Sequence, residues 1–303
     1  MNAVEIRDVT KTFGAVTAVD GLSLDVPAGS VYGFIGPNGS GKTTTLRMIM
    51  NILYPDSGSI RVLGEERHGA SVDRIGYLPE ERGLYRRMKV RDLLRFYGRL
   101  KNGGNTSRDV DHWLEKLDLT EWADKKVETL SKGMSQKVQF IASVVHRPDL
   151  VILDEPFTGL DPVNLDALQQ AVLELRANGA TVIFSTHDMS TAEAMCDFVF
   201  MIFQGRKVLD GTLADVQDRY GTDTIRARID GDAGLLHDIS GVERVTDRGQ
   251  IQELRLESGA DSQEVLAAIM SRARVTHFEL GRPSLHDIFV RIAGPRAGEA
   301  TNA

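Results

Sequence analysis

Gly36-Pro37-Asn38-Gly39-Ser40-Gly41-Lys42-Thr43 is the stretch of this 303-residue chain from which the rest can be read. It follows a short β-branched and aromatic run, Val31 to Ile35, and precedes Leu46, Ile49, Met50 and Leu53 at helical spacing. A strand, a glycine-rich loop and a helix in that order are the context that the phosphate-loop pattern requires. The glycines let the backbone wrap close to phosphate oxygens with N–H groups pointing inward, and the helix that follows adds its positive end. Lys42 is thereby placed to reach β- and γ-phosphates, and the Thr43 hydroxyl to ligate Mg²⁺.

A second element matches the first. Leu150-Val-Ile-Leu153 is a four-residue apolar run of the kind a fully buried parallel strand needs, and it ends in Asp154-Glu155. Because side chains on a strand alternate between faces, the two carboxylates take different jobs. Asp154 is the expected Mg²⁺ partner, directly or through water, and Glu155 the expected general base for an attacking water. Thr181 to Ser185 is another β-rich run, ending at Thr186-His187, and ligands of open α/β sheets gather at the carboxyl ends of strands, which places His187 near a γ-phosphate. The other six histidines show no metal-binding spacing and read as structural.

Composition narrows the class. Hydrophobic residues make up 42% and charged residues 26%, an ordinary globular balance with enough chain for two cores. A net charge of -7 speaks against a phosphate-backbone binder, so nucleic acid is not an expected partner. The single cysteine, Cys196, lies in an apolar stretch and reads as a buried structural thiol in a reducing compartment. The start, MNAVEIRDVTK, is charged where a signal peptide needs its apolar core, and the longest strongly apolar run, Phe198 to Phe203, is far short of a membrane span. The expectation is a chain neither secreted nor membrane-spanning on its own.

Along the chain, residues 1–211 alternate β-branched runs with helical patterns, the signature of a parallel sheet covered by helices: an α/β phosphate-loop NTPase core. About residues 88–130 break this alternation with two consecutive helices, Val90 to Leu100 and Val110 to Leu117, joined by a Gly-rich segment at Asn102 to Asn105, and read as a helical insertion. Residues 222–293 read β-α-β-β-α-β, a small ferredoxin-like α+β accessory domain whose first helix is weak. A helix at Leu285 to Ile292 follows, with its apolar residues facing its own domain, and 294–303 reads as a flexible tail.

The ordered set of Gly36 to Thr43, Leu130-Ser131-Lys132-Gly133-Met134, Asp154-Glu155, Gly159-Leu160-Asp161 and His187 resembles the ATP-binding subunits of ABC transporters. The resemblance covers Val4 to about Gly211. It implies ATP and Mg²⁺ as ligands, with Gly36, Asn38, Gly39, Ser40, Gly41, Lys42, Thr43 and Thr44 around the phosphates. Lys42, Glu155 and His187 are the implied catalytic set, and Thr43, Asp154 and Glu80 the implied metal contacts. Leu130 to Met134 looks like the family's signature, opening a helix that Ser131 can cap. In that architecture the active unit is a head-to-tail pair, a homodimer or two paired ATPase subunits, with ATP between Lys42 of one copy and Ser131 and Gly133 of the other. Asp161 would lie at that contact. Phe13 resembles the aromatic that stacks on adenine, with a core phenylalanine as its rival.

Two positions depart from the family pattern. The signature usually reads Ser-Gly-Gly-Gln where this chain has Ser131-Lys132-Gly133-Met134, and the usual glutamine after Tyr77-Leu78-Pro79 is Glu80, in metal contact or in coupling to a membrane partner. Pro79 to Tyr85 and Ser284 to Arg291 look like the ATPases of ABC-2-type exporters. The resemblance therefore implies a subunit peripheral on the cytoplasmic face of the membrane, driving a separate integral-membrane permease. A soluble ABC ATPase of translation or DNA repair, or a regulatory module that binds ATP without turnover, are the alternatives.

Overall fold

Three runs that the sequence marks as strands, Val31–Ile35, Leu150–Asp154 and Thr181–Thr186, are buried at every position. A strand can be so only in a sheet covered on both faces. The computed structural model describes residues 1–66, 71–81, 83–102, 104–221, 223–247, 249–257 and 259–300, which divide into two units, Met1–Thr212 and Leu213–Ala303.

The first unit runs β1 (Asn2–Phe13), β2 (Val16–Pro27), β3 (Val31–Ile35), α1 (Lys42–Ile49), β4 (Ser57–Val62), β5 (Ile75–Leu78), α2 (Val90–Asn102), α3 (Ser107–Lys116), α4 (Lys132–Val144), β6 (Leu150–Asp154), α5 (Pro162–Ala177), β7 (Thr181–Thr186), α6 (Met189–Met195), β8 (Phe198–Phe203) and β9 (Arg206–Thr212). Six strands form one sheet in the order β5-β6-β7-β3-β8-β9. Neighbours are parallel except β8 and β9. The carboxyl ends of β6, β7 and β3 therefore lie side by side, and the loops leaving them share one edge.

A single parallel sheet is not the whole of this unit. β1, β2 and β4 form a separate antiparallel sheet in the order β2-β1-β4. Its strands escape a period-two reading because the register shifts between Ile6 and Val9, around Asp8 at φ 48°, so the inward positions do not alternate strictly. β9 also departs from the parallel pattern. Gln204 and Gly205, at φ 50° and 77°, join Phe203 to Arg206 in the two-residue hairpin geometry that needs positive φ at both positions.

The two sheets meet through a common core. Ile6 and Leu22 of the antiparallel sheet, Tyr32 and Phe34 of β3, and Leu46 and Ile49 of α1 are all fully buried in one cluster. Each such side chain contributes about 1.5–3 kcal/mol by leaving water, and together they clamp α1 and the loop before it. Cys196 is buried, and burial pushes its thiol pKa up. The insertion consists of α2, α3 and single helical turns at Thr120–Trp122 and Val127–Thr129 before α4. Of its expected glycine joint, Gly103 lies outside the described residues.

The second unit runs α7 (Leu213–Arg219), β10 (Thr224–Asp230), β11 (Val242–Asp247), β12 (Gln252–Leu256), α8 (Ser262–Arg272), β13 (Arg274–Gly281) and α9 (Leu285–Ala300). Its antiparallel sheet has the order β11-β12-β10-β13, the strand arrangement of a ferredoxin-like β-α-β-β-α-β unit. Ile225, Leu254, Val265 and Ile269 form its core. The first helix is one turn, Ala233–Leu236, capped by Asp232. α9 corrects the expected tail: the helix does not end at Ile292 but continues to Ala300, and 301–303 lie outside the described residues. Leu285 and Ile288 are fully buried, so the apolar face of α9 is covered by protein. Among the described residues no helix is long and apolar enough to cross a membrane.

His146 links this packing to pH. It follows α4 and is 5% exposed. Its Nε2 faces the Ile75 carbonyl at 3.3 Å, and its Nδ1 is buried with no hydrogen-bond partner among the described residues. Burial, and then the nearby Lys101 charge, pull its pKa from 6.5 down to about 4. The neutral ring therefore belongs to the folded state. Its contribution is complete above pH 6.5 and is lost as pH falls through 6.5 towards 4, by about 3 kcal/mol in all. We expect guanidinium unfolding midpoints to fall between pH 7 and pH 4.5, and His146→Phe to flatten that decline. An equally steep decline in the variant would place the titrating group elsewhere.

Candidate functional site

The loop between β3 and α1 is shaped by what its glycines avoid. A Cβ on Gly36 would lie 2.3 Å from the Ile202 carbonyl oxygen, and one on Gly41, at φ 110°, would lie 2.5 Å from that of Ala18. Both contacts are with backbone, so neither position admits a side chain. Gly41 holds the N-cap position of α1, which has no side-chain cap and no acidic residue in its first turn. The helix's free N–H groups and positive end therefore stay available to an anion. They open into a cavity of about 360 Å³ lined by Asn38 to Thr44 with Ala18, Glu80 and Glu155.

Lys42 is the first residue of α1 and is only 5% exposed. Its Nζ donates to the carbonyls of Gly36 (2.7 Å) and Pro37 (3.1 Å) and lies 3.7 Å from Glu155 Oε1. Burial lowers its pKa, opposed by the charges of Glu155, Asp154 and Glu80. The ammonium thus rests on the loop it serves, in reach of an incoming phosphate. The Ser40 hydroxyl is buried beside it with no partner among the described residues.

Asp154 ends β6 at 1% exposure. Its Oδ1 accepts from the hydroxyls of Ser185 (2.5 Å) and Thr43 (3.2 Å), while Oδ2 is buried with no hydrogen-bond partner among the described residues. An orphaned buried carboxylate oxygen beside a threonine hydroxyl is the donor chemistry that a hard divalent cation takes. Among the described residues no three His, Cys, Asp or Glu cluster to hold a metal.

Glu155 corrects the expected reason for the division of labour. It lies past the strand end at φ 49°, a conformation that non-glycine residues seldom adopt, so a backbone kink rather than strand alternation aims it. Three contacts hold it there. Its N–H donates to Ser185 Oγ (2.9 Å), its Oε2 accepts from Thr158 Oγ1 (2.9 Å), and both carboxylate oxygens lie 3.0–3.1 Å from His187 Nδ1. The Glu155 side chain is 8% exposed and that of His187 50%, so the histidine covers the carboxylate from the open side.

Other expected contributors lie outside this cavity. Ser131 caps α4 by accepting from the Met134 N–H (3.2 Å). Gly133 lets that first turn pack close to α5, since a Cβ there would lie 3.0 Å from Asn164 Nδ2. Asp161 caps α5, accepting from the N–H groups of Val163 (3.1 Å) and Asn164 (3.0 Å). Phe13 ends β1 at 48% exposure, with Lys11 Nζ 5.5 Å from its ring centroid, so it is not a core residue. The sequence reading missed Ser185 and Thr158, which brace the two carboxylates. Ser185 carried a usable signal, as the last expected strand residue before Thr186-His187.

Comparison with known proteins agrees with this geometry. The family described as ABC transporter matches residues 19–158, and the one described as ATP-binding protein DrrA1-3-like, C-terminal domain, matches residues 211–293. A family described as AAA domain, putative AbiEii toxin, Type IV TA system, also matches residues 125–193. The uncharacterized ABC transporter ATP-binding protein YhaQ of Bacillus subtilis strain 168 is 42% identical over 95% of this chain and 98% of its own. The linearmycin resistance ATP-binding protein LnrL of the same strain is 32% identical over 96% and 98% of the two chains. The Nod factor export ATP-binding protein I of Paraburkholderia xenovorans is 35% identical over 96% and 97%. A solved structure titled as an ATP binding subunit of an ABC transporter superposes with a TM-score of 0.67 at 30% identity, covering 72% of this chain and 93% of that one. The chain belongs to the ABC transporter ATP-binding proteins, and its first unit is a nucleotide-binding ATPase of that type.

Ser185 is the test of the bracing contacts. Replacing a residue that orients a catalytic group commonly lowers activity about 10–100-fold, and Ser185→Ala removes the hydroxyl shared by the Asp154 carboxylate and the Glu155 backbone N–H. We expect its steady-state ATP turnover to fall by that factor while equilibrium nucleotide affinity changes far less. Unchanged turnover would leave Ser185 a packing residue only.

Proposed function

We propose that this chain is the ATP-hydrolysing subunit of an ABC-2-type exporter, peripheral on the cytoplasmic face of the membrane and working with a separate integral-membrane permease. One observation carries the chemical part: Lys42, Thr43 and Glu155 line a cavity walled by a glycine loop, with Asp154 buried behind Thr43 and His187 covering Glu155 from the open side. The loop N–H groups of Gly39 to Thr44 and the Lys42 ammonium hold the triphosphate. Thr43 and Asp154 would hold Mg²⁺, which would supply positive charge to offset that of the phosphates. Glu155 accepts a proton from the attacking water, and His187 orients that carboxylate and faces the γ-phosphate.

The active unit is a head-to-tail pair of chains. Ser131 and Gly133, absent from the cavity of their own chain, complete the partner copy's site from the N-terminus of α4. Asp161 and the exposed Val163 lie along that contact, and Phe13 stacks on adenine. The transport part rests on whole-length likeness to proteins named for linearmycin resistance and Nod factor export. It also rests on an exposed aromatic group following the Glu80 loop. Tyr85 (58% exposed) and Phe96 (42% exposed) meet edge to face with ring centroids 6.0 Å apart, and Leu100 stands exposed further along α2. Such a patch is suited to a partner helix. Residues 222–293 form the accessory domain.

Two experiments divide these claims. Loss of a general base commonly costs about 10²–10⁴-fold in rate, so Glu155→Gln should lose that much ATP hydrolysis while retaining ATP and accumulating as a dimer. Turnover equal to wild type would remove Glu155 from its role. Tyr85→Ala/Phe96→Ala should abolish co-purification of a polytopic membrane protein from gently solubilised membranes while hydrolysis by the isolated subunit persists. Undiminished co-purification would move the docking surface elsewhere.

A further inference from the structure

The catalytic carboxylates border a second, smaller cavity of about 170 Å³, whose lining includes Glu80, Lys132, Gln136, Asp154, Glu155 and Thr158. Its wall carries three carboxylates and one cation, Lys132. Glu80 and Glu155 also line the phosphate-loop cavity, so the two spaces share a wall, and the Glu80 charge is felt at Lys42. Glu80 leaves the end of β5 and Lys132 opens α4, so the two approach this space on different arms of the chain. Both side chains are exposed, and neither has a hydrogen bond or ion pair among the described residues. Lys132 is not simply directed outward. Its Nζ lies over Gly159, where a Cβ would come within 2.9 Å of it, at φ 74° in the loop that runs from Glu155 to Asp161.

Electrostatics decides what such an arrangement does. A carboxylate beside a site that must accept a polyanion repels it, the more so where water is partly excluded. A cation on the opposite wall cancels that repulsion without touching the substrate. We propose that Lys132 and Glu80 act as an electrostatic pair across this cavity, Lys132 being a positioning residue that neutralises Glu80 and holds its loop towards the start of α4 when nucleotide binds. This rests on the ATPase reading above and adds to it a function for two exposed side chains of opposite charge on one cavity. It also accounts for Lys132 at a helix N-terminus, where a cation is otherwise unfavourable.

The test is a double-mutant cycle in the full-length chain with wild type, Lys132→Met, Glu80→Gln and the double variant, measuring both equilibrium affinity for Mg·ATP and ATP turnover. Lys132→Met should weaken Mg·ATP binding about tenfold, as expected for one uncompensated charge near a polyanion. Adding Glu80→Gln should restore affinity to within about twofold of the Glu80→Gln protein, the signature of coupled sites. Lys132→Arg, which keeps the charge, should bind like wild type. Independent effects that multiply, or weaker binding by Glu80→Gln itself as for a metal ligand, would overturn the pair. Affinity alone decides this point, whereas absent turnover in wild type would overturn the ATPase reading and leave the binding cycle valid.

Discussion

The hydroxyl of Ser185, held between Asp154 Oδ1 and the Glu155 N–H, is the contact on which the rest of the site depends. Asp154 ends β6, Ser185 lies near the end of β7, and Thr43 begins the helix after β3, so bonds to one buried carboxylate tie three adjacent strand ends together. An unpartnered charge in that position would cost several kcal/mol. The hydroxyls of Ser185 and Thr43 offset part of that cost. The same hydroxyl fixes the Glu155 backbone at a φ it would not adopt unaided, and so aims the base. Rigid strands place the parts, and a few short hydrogen bonds set their final orientation.

Much of this could be read from residue order. The buried apolar runs at β3, β5, β6, β7 and β8 stand out because strands covered on both faces cannot carry polar residues inside. The glycine loop stands out because its backbone must approach a ligand. What could not be read is equally physical. β1 and β2 hide behind register shifts, β9 behind a two-residue hairpin, and the last turns of α9 behind a proline, which in a sequence reads as a helix breaker. The kink at Glu155 leaves no mark in composition. Its cause is a hydroxyl thirty residues away, and pairings of that range are outside any local pattern.

The two units meet different constraints. The first is organised around a ligand, and its least ordinary backbone, at Gly41 and Glu155, lies at the cavity. The second has an ordinary core of β10, β12 and α8, with polar residues joined by cross-strand and helix–strand ion pairs such as Arg226 to Glu253 and Arg291 to Asp223.

In the proposed head-to-tail pair, one chain carries half of each ATP site. Within a chain the phosphate loop and the α4 N-terminus serve different cavities, and Ser131 and Gly133 are built into helix capping and packing. The direct measurement is disulfide trapping between two versions of the chain on a Cys196→Ser background, one with Asn38→Cys and the other with Ser131→Cys. A covalent pair containing one of each, formed with ATP and not with ADP, is the expected result. Trapping that ignores nucleotide, or none with ATP bound, would contradict the shared site.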